Sequence, residues 1–212
     1  MRLVYLPAWL QICWVHFISL GLAFIYWQNF TAFEKLPETY RANLSSASKK
    51  NLGDFASDWP EVEYIISSTA YSGALPGKNY ASTSVCIAAP LSRGTVTIQS
   101  NDTAVQPLID PGWFTNSTDI EVAVQAFKRM REFWAAKAIQ GVLLSSELEP
   151  GPSVRTDEEI REYILNTMRT SYHPACTCKL SLLTASAVDS VYLIYANLFL
   201  QVKWASATTQ WL

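Results

Sequence analysis

The chain has 212 residues and a mass of 23.7 kDa, room for one medium domain or two small ones. It is 50% hydrophobic and 16% charged with a net charge of -2, which excludes the basic surface that nucleic-acid binding needs. Its 13% aromatic content excludes wholesale disorder, and four cysteines are too few for a disulfide-built mini-scaffold.

The charges are unevenly placed. All but three of the 16 Lys/Arg and 18 Asp/Glu lie between Glu34 and Lys179; the exceptions are Arg2, Asp189 and Lys203. This divides the chain into an apolar segment at 1–28, a globular part at 29–179 and an apolar tail at 180–212. Residues 3–28 carry no formal charge and are studded with Trp9, Trp14, Phe17, Phe24, Tyr26 and Trp27. Three readings of that run stay open. It is long enough to span a bilayer, which takes roughly 20 apolar residues in a helix. It also fits a secretory leader behind Arg2, with Gly21 and Ala23 as small residues at the cleavage point. The third reading is noncoding sequence translated by a wrong gene model. If residues 3–27 are genuine, the protein belongs to the secretory pathway, the extracellular space or a membrane.

Residues 29–60 read as polar surface, helical or irregular. From Asn79 to Pro90 the chain is rich in β-formers and runs apolar from Val85 to Ala89, which predicts a strand with one or both faces buried. A turn at Ser92-Arg93-Gly94 follows. Thr95-Val96-Thr97-Ile98 then alternates with period two, so Val96 and Ile98 are expected to face a core. Leu108-Ile109-Asp110-Pro111 closes the section, where proline breaks the run.

Two helices come next. Asn116-Ser117-Thr118 offers caps, Asp119 and Glu121 lie in the first turn, and Ile120, Val124, Phe127 and Trp134 recur near helical spacing. Thr156-Asp157-Glu158-Glu159 has capping-box spacing, with Ile160, Ile164 and Met168 on one stripe behind it. Glu149-Pro150-Gly151-Pro152 is a turn-rich break between the two helices. Strands followed by helices without regular βαβ alternation predict an α+β fold.

Four Asn-x-Ser/Thr sequons, at Asn29, Asn43, Asn101 and Asn116, are candidate glycosylation sites in a secretory compartment. The cluster with chemistry in it is Tyr172-His173-Pro174-Ala175-Cys176-Thr177-Cys178-Lys179. A metal site on His173, Cys176 and Cys178 fails on spacing and lacks a fourth ligand. A Cys–His nucleophile pair needs side chains that converge, which local sequence does not show. His173 alone has a pKa suited to a general base near neutrality, against the plain alternative of a packed or surface histidine.

The run Tyr172 to Lys179 resembles the histidine-containing signature late in the glucose–methanol–choline (GMC) flavin oxidoreductases, especially fungal aryl-alcohol and patulin-synthase-like members. Ala89-Pro90-Leu91-Ser92-Arg93-Gly94-Thr95-Val96 and Leu108-Ile109-Asp110-Pro111 resemble that family's substrate-domain strands. Phe33-Glu34-Lys35-Leu36-Pro37 and Asp58-Trp59-Pro60-Glu61 fit the same alignment in the same order. The resemblance implies an antiparallel sheet with packed helices, a small-molecule alcohol as substrate and FAD as cofactor. It implies His173 as the base that removes the hydroxyl proton while hydride leaves the carbinol carbon for the flavin. The dinucleotide-binding unit of that family needs G-x-G-x-x-G, and none of the eight glycines here lies two residues from another. After Lys179 the chain departs from the family pattern, as if from another reading frame or a retained intron, or as a real apolar tail. The expectation is therefore a truncated FAD-dependent alcohol oxidoreductase of secondary metabolism, inactive by itself. The rival is a non-catalytic secreted or membrane-tethered glycoprotein that keeps the substrate-domain shell; a third outcome is a decayed gene product that does not fold.

Overall fold

The computed structural model describes residues 30–70, 75, 78–172, 176–177 and, as backbone, 198–206. The apolar segment 3–28, Asn29, His173, Cys178 and most of the tail lie outside the described residues. Two structures run through the rest: an antiparallel sheet with helices on one of its faces, and a two-stranded ribbon beside it.

The sheet begins with β1 (Phe30–Glu34), which pairs antiparallel with β2 (Val62–Ser67). Strand β2 pairs with β3 (Tyr80–Ile87) in the register Val62 opposite Ile87 and Tyr64 opposite Val85. These residues share one face, and it is the face on which the core forms. Between β1 and β2 lie a single helical turn, α1 (Glu38–Arg41), and the short helix α2 (Ser46–Leu52). The ribbon is β4 (Thr95–Thr97) with β5 (Leu108–Asp110). The long helix α3 (Ser117–Ala135) follows, then the turn α4 (Lys137–Gln140) and strand β6 (Leu143–Glu149). Helix α5 (Asp157–Thr167) leads into the two-residue strand β7 (Arg169–Thr170), and β8 (Leu198–Ser206) closes the order. Spatially the strands run β1-β2-β3-β8-β6, with β7 on β8, and every pairing is antiparallel. The fold class is α+β, as strands followed by helices without regular βαβ alternation predict.

Helix α3 lays Ile120, Val124, Phe127 and Trp134 into the core, the stripe that its spacing predicts. Trp134 fixes the helix to the sheet through its ring nitrogen, which donates to the Thr83 hydroxyl at 2.8 Å. Helix α5 adds Ile160 and Ile164 and starts at a full capping box: Thr156 Oγ1 accepts from the Glu159 N–H, and the Glu159 carboxylate accepts from the Thr156 N–H. Arg131 ties α3 to the strand next to it. Its guanidinium donates to both carboxylate oxygens of Glu147 at 2.8 and 2.7 Å and to the Val154 carbonyl at 2.6 Å, while its carbon lies 4.5 Å from the Phe127 ring centre.

Two expectations are corrected. Residues 29–60 are not all surface: β1 is an edge strand, and Leu36, Leu44 and Leu52 are buried with the helices. Their even eight-residue spacing is not a strand's, because two loops and the end of a short helix deliver them one at a time. Glu61 makes that route possible. It is buried, accepts the Leu36 N–H at 3.0 Å and pairs with Arg41, so the irregular backbone is satisfied inside the fold. The second correction concerns Val96 and Ile98, which lie exposed on the ribbon and face no core among the described residues. The period of two was read correctly, but a two-stranded ribbon carries no second layer.

Candidate functional site

The stretch that ends strand β3 is held by the start of helix α3. Asp119, in the first turn, is 3% exposed, and its two carboxylate oxygens accept the N–H groups of Leu91 at 2.8 Å and Ser92 at 2.7 Å. The Ser92 hydroxyl accepts the N–H of Asn116 at 3.0 Å, and Asn116 caps the helix by accepting from Thr118 N. Burial raises the Asp119 carboxyl above its ordinary value, against the pull of Leu91 N–H, the Ser92 side chain and N–H, and the nearby Arg93. An acid that sequence placed as a helix-dipole partner is thus mainly an anchor for the neighbouring loop.

Arg93 and Gly94 extend this anchor to the signature loop. Arg93 donates to the carbonyls of Pro90 at 2.8 Å and Ser92 at 2.9 Å, and the same nitrogen lies 3.7 Å from Cys176 Sγ. The Gly94 N–H donates to the Cys176 carbonyl at 3.1 Å. Gly94 must be glycine: an added Cβ would stand 2.2 Å from the Asp110 carbonyl oxygen. Gly112, at φ +58°, would place a Cβ 2.1 Å from the Arg93 oxygen. Four segments therefore meet at one corner: the Pro90–Gly94 turn, the end of β5, the cap of α3 and the loop that follows β7.

Two described residues of that loop have an unusual backbone. Tyr172 and Cys176, the described residues on either side of His173, both have φ of 65°. For L-residues such a conformation costs roughly 1–2 kcal/mol each, so the surrounding bonds must impose it. Tyr172 is exposed and donates its N–H to Thr170 Oγ1 at 3.0 Å. Cys176 is half-buried, whereas Cys86 on β3 is fully buried and its thiol is pushed up by desolvation. His173 and Cys178 lie outside the described residues, and among the described residues no group of three His, Cys, Asp or Glu comes together as a metal site.

Of the sequon asparagines, Asn43 and Asn101 are exposed. Asn116 is half-buried as a helix cap, and the hydroxyl of its Thr118 is buried, accepting from Ser48 and Asn51. Asn29 lies outside the described residues. A groove of about 410 Å³ opens on the helical side, lined in part by Glu121, Asp157, Glu158 and Arg161; it shares no residue with the corner. The contribution of Asp119 was missed because its partners are backbone groups 27 and 28 residues away. Only a three-dimensional fold brings them into reach.

Helices layered on an antiparallel sheet, with the signature loop pinned to the Pro90–Gly94 turn, define an α+β domain. The family model described as GMC oxidoreductase, in its C-terminal section, matches residues 90–194. The chain is 38% identical over 187 residues to patulin synthase of Penicillium expansum, covering 83% of this chain and 30% of that protein. It is 42% identical over 153 residues to the oxidoreductase cicC of Emericella nidulans, covering 68% and 25%. With versicolorin B synthase of Aspergillus parasiticus it shares 41% over 156 residues, covering 71% and 23%. The chain belongs to the GMC oxidoreductases. It spans roughly a quarter to a third of the length of the curated relatives it matches.

FAD is the cofactor that the family implies, and the described residues do not fit it. Among them there is no parallel βαβ unit and no glycine-rich turn opening a helix, so no cradle for a dinucleotide pyrophosphate is present. No helix among the described residues is long and apolar enough to cross a membrane.

Proposed function

We propose that this chain supplies the substrate side of an FAD-dependent alcohol oxidoreductase, with His173 as the base that takes the proton from the substrate hydroxyl. The supporting observation is the corner itself: the loop bearing His173 is tied through Cys176 to Gly94, in a chain whose relatives include fungal synthases and oxidoreductases. An imidazole suits that role because its proton affinity lies near neutral pH. The substrate class we assign is a primary or aromatic alcohol, in secondary metabolism. The chain by itself is expected to hold no flavin, since its described residues offer no cradle.

The test is a chimera in which this chain replaces the matched stretch of the Penicillium expansum patulin synthase. Primary aromatic alcohols should bleach its bound flavin under anaerobic conditions, and His173→Ala should slow bleaching by at least about a hundredfold. A flavin-loaded chimera that no alcohol bleaches, or that His173→Ala leaves equally fast, would refute the assignment. Separately, stoichiometric flavin in the purified chain would overturn the claim that it does not act alone. A rival reading, a secreted or membrane-tethered glycoprotein without catalysis, draws on the exposure of Asn43 and Asn101. A glycosidase-sensitive mass in material from a eukaryotic host would favour it.

A further inference from the structure

Asp119 carries a carboxylate that the cap of its own helix does not use. Asn116 already caps α3 by accepting from Thr118 N, while the two Asp119 oxygens take the N–H groups of Leu91 and Ser92. A charge at 3% exposure is costly unless such bonds compensate it, so the gain lies in the turn that it holds. That turn is fixed at every polar group described for it. Arg93 folds back on the Pro90 and Ser92 carbonyls, and the Ser92 hydroxyl accepts the Asn116 N–H. The Asp110 and Pro111 backbone lies so close to Gly94 that an added Cβ would overlap it. What Asp119 fixes at Leu91 and Ser92 is therefore passed on to Gly94.

Two contacts leave the turn for one residue of the signature loop. The Gly94 N–H donates to the Cys176 carbonyl at 3.1 Å, and an Arg93 nitrogen lies 3.7 Å from Cys176 Sγ. Cys176 has a φ of 65°, a backbone that persists in an L-residue only where its surroundings impose it. We infer that Asp119 is a positioning residue for the loop that bears His173, acting through the Pro90–Gly94 turn and Cys176. The inference rests on the reading under Proposed function. In it Asp119 touches no reacting atom. Proton transfer needs the base within hydrogen-bond reach of the substrate hydroxyl, and a misplacement of about 1 Å can slow such a step by up to about a hundredfold.

Asp119→Asn is the test. It keeps the size of the side chain but replaces one acceptor with a donor, which then faces a backbone N–H. In the flavin-loaded chimera, the limiting rate of anaerobic bleaching should fall about tenfold, with the half-saturating alcohol concentration moved by less than about twofold. Arg131→Met, which loosens the same helix against β6, should leave that rate unchanged. In the isolated chain, hydrogen exchange of a peptide spanning 170–177 should quicken at least about fivefold in Asp119→Asn and not in Arg131→Met. Ser92→Ala removes one hydroxyl of the same turn and serves where Asp119→Asn does not fold; it should move rate and exchange the same way by at least about twofold. Unchanged rate and exchange in Asp119→Asn, or equal losses in Arg131→Met, overturn the inference. So does a rise in half-saturating alcohol with the limiting rate intact. Exchange needs neither flavin nor alcohol: if it quickens as expected while His173→Ala bleaches as fast as the unmutated chimera, the catalytic reading fails and the hold of Asp119 on the loop stands.

Discussion

Gly94→Ala tests whether the site corner is as tightly closed as its geometry requires. The added Cβ would stand 2.2 Å from the Asp110 oxygen, 2.4 Å from the Pro111 carbonyl carbon and 2.5 Å from its oxygen. Ordinary contacts are about 3.5 Å or longer, so the backbone must move by more than about 1 Å, and no flexible side chain can give way instead. Overpacking of this kind costs about 1–3 kcal/mol. Loss of the Gly94–Cys176 hydrogen bond adds about 1 kcal/mol. The expected destabilisation is therefore about 2–4 kcal/mol. Gly141→Ala is the matched control: Gly141 ends α4 in right-handed helical backbone, with nothing within 4 Å of an added Cβ. There the smaller entropy of the unfolded chain should stabilise by about 0.4–1 kcal/mol. Urea unfolding followed by circular dichroism gives both numbers. Hydrogen exchange by mass spectrometry should show faster exchange in peptides spanning 90–112 and 170–177 for Gly94→Ala, with α5 unchanged. If Gly94→Ala costs under about 1 kcal/mol, or no more than Gly141→Ala, the four-segment corner does not hold as described.

Two further outcomes follow from the charged contacts. Arg131→Met keeps an apolar stem near Phe127 but leaves Glu147, whose side chain is 10% exposed, without its guanidinium. Breaking a buried pair this way costs about 3–5 kcal/mol, reduced to about 2–4 here because the Arg131 side chain is 23% exposed. Adding Glu147→Leu should recover at least half of the loss in the same urea assay; a double variant as unstable as the sum of the singles would refute the argument. For Asp119 the sign comes from linkage. Its folded pKa is raised above its ordinary value, so the stability it contributes is fully present below that ordinary value and is lost as pH rises through the folded one. The stability gap between the unmutated chain and Asp119→Asn should therefore narrow as pH rises from about 3.8 upward, read from melting temperatures across the range. A gap that widens would mean that the two backbone N–H bonds outweigh burial.

Local signals were legible wherever a few consecutive residues decide the outcome. The Thr156 capping box, the Asn116 cap and the α3 stripe all form within one or two helical turns, and the structure realises each. The resemblance to the GMC family was likewise carried by short ordered motifs, which sequence contains in full. Strands β2 and β6 escaped notice. In β2 both faces are largely buried, so no alternation marks it, and Leu143–Glu149 mixes serines and acids with its leucines. Leu36, Leu44 and Leu52 escaped because they stand eight residues apart in two loops and a short helix end, so none lies in a local periodic run.

The site divides along the same line. By itself the sequence determined the family, the chemical type of His173 and the turn at Gly94, since these are properties of residues and motifs. Only the tertiary structure decided that Asp119 anchors Leu91 and Ser92, that Gly94 grips Cys176 and that Val96 and Ile109, opposite each other on the ribbon, lie exposed. The physical reason is range. Caps, turns and periods are fixed by neighbours along the chain, whereas a carboxylate's partners and a strand's second layer are fixed by segments that only folding brings into contact.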